Sequence, residues 1–143
     1  MTGEILINDA PEDRCFGCGH ANDQGLKLEF RKTGDASVET TYTVPEHFNG
    51  QTGIVHGGIQ ATLLDEVIGM SIHVLLGKER GRIVTAEMKL RYRRPTPTGV
   101  PLTVRGRVVR REDANLFCEA EIVDADGHVL TQGEARWKHL PES

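Results

Sequence analysis

The sequence predicts an α+β domain: one long central helix wrapped by a roughly six-stranded antiparallel sheet. Three observations carry that reading. From Leu26 onward, apolar and polar residues alternate with period two in six separate stretches. Between the second and the third lies one segment, residues 57–76, that is apolar on nearly every side. Asp126-Gly127 then supplies a tight-turn signal between the last two stretches.

The elements follow in order. Residues 1–24 lack steady periodicity and read as an arm or loop, with a single domain expected over 25–143. Leu26, Leu28 and Phe30 alternate with Lys27, Glu29 and Arg31, and Val38, Thr40, Tyr42 and Val44 form the next strand. The clearest alternation sets Val84, Ala86, Met88, Leu90 and Tyr92 on one face, against Thr85, Glu87, Lys89, Arg91 and Arg93 on the other. Pro95-Thr-Pro97-Thr-Gly99 breaks that strand. Leu102 to Val108, Leu116 to Ile122 and Val129 to Trp137 complete the set. Hairpin-linked strands with one-sided alternation make an antiparallel sheet whose dry face needs a cover. Only residues 57–76 can provide it, ending at Gly77, a good helix stop. Edge strands of such a sheet need protection, which dimerisation commonly supplies.

The chain has 143 residues, enough for one self-sufficient core, with 38% hydrophobic and 27% charged residues. Asp65, Glu66 and His73 interrupt its longest apolar region, so no membrane span is expected. The acidic start lacks the layout of a signal peptide, and three cysteines are an odd number for a secreted disulfide scaffold. The expected compartment is the cytoplasm. Net charge is −4, unevenly spread. Residues 78–111 hold eleven of the 17 Lys and Arg against two acids, a local charge of +9 that leaves −13 for the rest. Such a zone on an acidic protein suits a small polyanion better than a nucleic acid. The plainer alternative is wet arginines on the outer face of strands.

The informative stretch opens the helix: Phe48-Asn-Gly-Gln-Thr-Gly-Ile-Val-His56-Gly57-Gly58. Two glycines at a helix start leave N–H groups open at its positive end, a place for an oxyanion or phosphate. They can equally serve only to let helix and strand pack tightly. Asp65 sits mid-helix among Ala61, Thr62, Ile68 and Gly69, where an ionised carboxylate is costly unless partnered. Glu66, about 100° further round, is the rival carboxylate and reads as a helix-flank residue near solvent. Asp65 follows Gly57 by eight residues, roughly 12 Å along the axis. One carbonyl can hardly meet both groups of the same helix. If both act on one carbon, the carboxylate comes from a second copy across a two-fold axis.

With these residues in view, the sequence resembles the hotdog-fold acyl-CoA thioesterases, particularly the PaaI-like phenylacetyl-CoA thioesterases and the THEM groups of the same superfamily. The likeness covers nearly the whole chain. It rests on Cys15-Phe-Gly-Cys18-Gly-His-Ala-Asn22-Asp-Gln-Gly25-Leu26, on Phe48-x-Gly50-x-x-Gly53-Ile-Val-His56-Gly57-Gly58, on a carboxylate nine positions after that histidine, and on the strand ending Tyr92-Arg-Arg-Pro95. The resemblance implies dimers with a continuous sheet, often paired into tetramers, acting on an acyl-CoA substrate. It needs no cofactor, since coenzyme A is part of the substrate, and neither nucleic acid nor membrane is an expected partner. It implies that Gly57 N–H polarises the thioester carbonyl, with Gly58 beside it. Asp65 of the partner subunit is then the general base or the nucleophile. Thr85 falls where related enzymes place a hydroxyl that positions water or the carboxylate, and His56 supports the loop. Many relatives carry Asn or Gln six residues before the histidine; here Gly50 stands there, flanked by Asn49 and Gln51, either of which could substitute. Arg93, Arg94 and Arg111 are the nominees for the phosphates of coenzyme A.

Two other activities fit parts of this pattern. One is a hydratase or dehydratase acting on enoyl-CoA, against which His56 and Asp65 lie nearly opposite each other on the helix, about 180° apart. The other is a non-catalytic acyl-CoA binder, kept open by Gly50. Cys15-x-x-Cys18 with His20 offers three zinc ligands or a redox pair. A fourth ligand at proper spacing is missing, so a structural loop without metal is expected. Trp137 reads as core or interface, and His47, His73, His128 and His139 as surface or packing residues.

Overall fold

The computed structural model describes residues 4–6 (backbone only), 15–19, 22–77 and 81–140. His20 and the basic residues Lys78 and Arg80 lie outside the described residues. The chain runs β1 (Glu4–Leu6), β2 (Phe30–Gly34), β3 (Ser37–Thr43), a 3-10 turn (Glu46–Phe48), α1 (Gly57–Leu76), β4 (Arg82–Tyr92), β5 (Pro101–Glu112), β6 (Asn115–Val123) and β7 (Val129–Leu140). One antiparallel sheet holds all the strands in the order β1-β2-β3-β5-β6-β7-β4. The six expected strands are therefore present, with a three-residue edge strand added from the N-terminal arm. Three residues are too few to show a period in sequence.

Helix α1 spans the expected residues and stops at Gly77, whose φ of +55° is open to glycine without steric cost. By length and composition alone it would suit a bilayer. Its place is instead the core, packed mainly against β3, β5 and β6. Leu63, Leu64, Val67, Ile68 and Ile72 are sealed from solvent there, against Phe30, Val38, Val104, Leu116 and Ile122. A row of small residues, Gly106, Ala120 and Gly133, pairs across β5, β6 and β7 directly beneath the helix. A Cβ at Gly106 would lie 2.9 Å from Val67 Cγ1 and 3.2 Å from the Val67 backbone. One at Gly133 would lie 3.1 Å from Leu64 Cδ1. The missing side chains form the trough that lets the helix come close.

Two expected strands differ in detail. Leu26 and Leu28 are buried as predicted, but β2 begins only at Phe30. Lys27 adopts φ +53°, which interrupts an extended run. Leu26 and Leu28 N–H groups bond instead to Phe16 and Gly17 carbonyls, at 2.7 and 3.0 Å. In β4, a bulge between Thr85 and Glu87 shifts the register against β7 and reverses the phase of alternation. Upstream of it Ile83 packs on the core while Val84 is 41% exposed; downstream Met88 and Leu90 pack inward. The expected inward positions Val84 and Ala86 therefore lie outside, and Thr85 is carried to the helix side. The last hairpin turns at Gly127, φ +86°, with Asp124 Oδ1 accepting from Asp126 and His128 N–H.

Replacing Gly106 by Ala should push Val67 and its backbone away from the trough and destabilise the fold by about 1–3 kcal/mol. Urea unfolding measures this directly, and an unchanged midpoint would mean that the helix is not seated by that gap.

Candidate active site

The loop that delivers the chain to α1 is tied at several points. His56 N–H bonds to Phe48 O at 3.0 Å and Val55 N–H to Thr96 O at 2.8 Å. His56 is the helix N-cap, and its Nδ1 accepts from Gly58 N–H at 2.9 Å. The N–H groups of Ile59 and Gln60 both reach the His56 carbonyl, at 3.0 and 3.1 Å. Of the two glycine N–H groups expected to be open, Gly58's is therefore capped. Gly57's makes no bond within the described residues. With Nδ1 as the acceptor, the ring's own N–H is at Nε2. That suits the expected supporting role.

Tyr92, at the end of β4, donates its hydroxyl to Gly57 O at 3.0 Å. A Cβ on Gly57 would stand 3.3 Å from that hydroxyl, so glycine here serves close strand packing as well as an open N–H. Beneath the entrance, buried Gln60 donates from Nε2 to Val55 O at 3.0 Å. Its Oε1 accepts from Thr96 at 3.1 Å and from Thr131. Neither Tyr92 nor Gln60 stood out as a site residue in sequence. A lone amide on an otherwise apolar helix was the available signal for Gln60.

Asp65 and Thr85 meet as expected: Thr85 Oγ1 donates to Asp65 Oδ1 at 2.8 Å. The β4 bulge is what turns Thr85 toward the helix. Partial burial raises the Asp65 carboxyl above its ordinary range, and the Thr85 hydrogen bond only partly offsets this. Glu66 does not face solvent as predicted. It points to the N-terminal turn, where Cys15 Sγ donates to its Oε1 at 3.3 Å.

The remaining nominees are dispersed. Asn49 is half-buried in an isolated bridge with Val55, and Gln51 is exposed. A Cβ on Gly50 would make only ordinary contact with His56, at 3.5 Å from its Cα, so packing at that point does not itself demand glycine. Arg93 and Arg94 follow Tyr92, both donating backbone N–H to Leu130 O, and Arg93 Nε donates to Gln132. Arg93 lines a cavity of about 740 Å³ on the sheet face away from α1. Arg111 instead lines a groove of about 270 Å³ beside Leu75 and Leu76 at the helix's far end. Two arginines of the basic zone are matched by acids from a neighbouring strand. Arg105 pairs with Glu121 at 2.7 Å and Arg107 with Glu119 at 2.9 Å. Trp137 is buried against Gly69, as core.

Comparison with known proteins is consistent throughout. A family model described as "Thioesterase superfamily" matches residues 52–131. Acyl-coenzyme A thioesterase 13 of Homo sapiens is 30% identical over 116 residues, covering 80% of each chain. Acyl-coenzyme A thioesterase THEM4 of Rattus norvegicus is 31% identical over 79% of this chain, which spans about half (49%) of that longer relative. Among solved structures, the conserved protein PA5202 of Pseudomonas aeruginosa superposes with a TM-score of 0.72 at 26% identity, covering 80% of this chain and 90% of that one.

Two outcomes follow from the site's polar groups. Gln60→Leu should orphan the Val55 carbonyl and leave the Thr96 and Thr131 hydroxyls only each other, costing about 1–3 kcal/mol of stability by chemical denaturation; a neutral result would mean that the network is dispensable. Asp65 binds its proton more readily folded than unfolded, so its ionisation costs stability. That cost is absent below its unfolded value of 3.8 and present in full above the raised folded value. Asp65→Asn should accordingly be at least as heat-stable as the parent at pH 7, with the difference shrinking toward pH 4. A variant markedly less stable at pH 7 would contradict the burial argument.

Proposed function

The chain belongs to the thioesterase superfamily, and from that premise we propose that it hydrolyses acyl-CoA thioesters at a site shared between two copies. The observation that carries the reading is the helix entrance. His56 caps Gly58, Tyr92 holds Gly57 O, and the Gly57 N–H is left over at the positive end of a 20-residue helix.

Thioester hydrolysis builds negative charge on the carbonyl oxygen. A fixed donor aimed at that oxygen stabilises it without reorganisation, and losing one in comparable sites costs about 3 kcal/mol. Asp65 is the second part. Thr85 occupies its Oδ1, leaving Oδ2 for a water molecule. The carboxylate takes a proton as the water oxygen bonds to the carbonyl carbon. The tetrahedral oxyanion collapses, the C–S bond breaks, and the proton passes to the departing thiolate of coenzyme A. The raised carboxyl brings this base nearer to neutral pH, where it is more effective. The scheme uses no cofactor.

Eight residues of regular helix, roughly 12 Å, separate Gly57 from Asp65. The two groups that serve one carbonyl therefore belong to different copies. Strand β4 supports this arrangement. It is an 11-residue edge strand with no neighbour beyond it among the described residues, and it exposes Val84 and Tyr92. Such an edge is completed by a second β4 across a two-fold axis. Arg93 and Arg94, directly after Tyr92, are the stronger candidates for the coenzyme A phosphates. Arg111, at the other end of α1, reaches that role only through a different part of the ligand. Cys15, Cys18 and Cys118, none of them in a disulfide, suit a reducing compartment such as the cytoplasm.

The test is thiol release from short, long and aromatic acyl-CoAs by the parent protein and by Asp65→Asn. The substitution should lower turnover by about 10²–10⁴-fold. Turnover that survives it would remove Asp65 from the mechanism. Absence of thiol release from every ester, with loss of the double bond of an enoyl-CoA, would replace the hydrolase by a hydratase.

A further inference from the structure

The turn Cys15-Phe16-Gly17-Cys18-Gly19 lies against α1 on the flank opposite the sheet trough, and its role is not explained by the hydrolase. Gly19 N–H bonds back to Cys15 O at 2.9 Å, closing a tight turn that presents both cysteines to one side. The turn is fixed to the buried lead-in of β2 through the Leu26 and Leu28 N–H groups. Glu66 projects into it from the helix. The sulfurs of Cys15 and Cys18 and a carboxylate oxygen of Glu66 all lie within 4.8 Å of one another. A Cβ on Gly17 would stand 2.2 Å from Glu66 Cδ, so the backbone between the two cysteines is pressed onto the carboxylate, which any side chain there would displace. Cys18 is 9% exposed and Glu66 half-buried.

We propose that Cys15, Cys18 and Glu66 form a binding site for a thiophilic divalent cation of the zinc class, which clips the N-terminal segment onto α1 beside Asp65. The two-residue spacer between the cysteines is a common zinc-ligand spacing. Thiolate sulfurs about 2.3 Å and a carboxylate oxygen about 2.0 Å from one tetrahedral ion lie well within 4.8 Å of each other. Sequence spacing offers His20, outside the described residues, beside the two cysteines; the carboxylate comes from the helix, 48 residues after Cys18. Among the described residues these three are the protein ligands, and the fourth position is open to water. Binding forms two metal–thiolate bonds and one metal–carboxylate bond and releases the two thiol protons to solvent, so affinity rises with pH. It also answers a charge problem: Glu66 lies beside two thiols in a poorly solvated pocket, and a dication offsets the negative charge that their ionisation adds.

Metal-stripped, fully reduced protein would be titrated with Co²⁺ and then with Zn²⁺. One equivalent of Co²⁺ should produce the near-ultraviolet thiolate-to-metal charge-transfer band, and Zn²⁺ should displace it. Cys15→Ser, at a half-exposed position, should retain the fold by circular dichroism and lose most of that band. Glu66→Gln should keep the band but weaken binding by about tenfold or more. Zn²⁺ should raise the melting temperature of the parent and not of Cys15→Ser. A parent protein with all three thiols titratable and no band at one equivalent would overturn the site, as would a band unchanged in Cys15→Ser. None of these readouts depends on thioester hydrolysis.

Discussion

Helix α1 can do its work because the sheet beneath it lacks side chains where the two come closest. Gly106 and Gly133 flank Ala120 across three strands, and Val67 and Leu64 fill the space a Cβ would need at either glycine. With the helix seated, its polar contacts are fixed. Its N-terminus meets Tyr92 and the Gln60 network, Asp65 meets Thr85, and Glu66, on the neighbouring face, meets the Cys15–Cys18 turn. A helix held further out would lose these contacts together, since each depends on hydrogen-bond distances of about 3 Å.

Consecutive carboxylates on a core helix are a costly pair, and the fold handles them differently. Asp65 keeps a raised carboxyl, with Thr85 as its one hydrogen-bond partner among the described residues. Glu66, about 100° around the helix, is drawn into a pocket of thiols and tight backbone. The hydrolase reading uses the first and the cation site uses the second. The two proposals share a helix but no ligand atom. His56 shows a similar division at the entrance: by taking Gly58 N–H it leaves one donor, that of Gly57, as the unpaired positive end of the helix.

Charge on the outer face obeys a different rule. In sequence the arginine-rich segment is a single electropositive zone, but part of it faces acids once the strands pair. Arg105 and Arg107 on β5 meet Glu121 and Glu119 on β6, while Glu87 on β4, one of the zone's two acids, meets Arg136 on β7. Exposed pairs of this kind add little stability. The zone stays basic, with Arg91, Arg93 and Arg94 at the end of β4 set apart from the paired arginines of β5.

The helix from Gly57 to Leu76, its glycine stop and the six strands were all legible in the sequence. Each depends on a local signal: a hydrophobic period, a cap, or a turn residue within a few positions. Asp65 stood out for the same reason, as a charge on an apolar stretch. The structure alone decided the partners. The bulge that reverses the phase of β4 and aims Thr85 at Asp65 exists because β4 pairs with β7, whose register is set some 50 residues later in the chain. Lys27 breaks a strand that alternation predicted because Phe16 and Gly17 offer other bonds. Glu66 turns from solvent to Cys15, 51 residues away. Local chemistry determined what each segment would become, while contacts between residues far apart in the chain determined which side chains would meet.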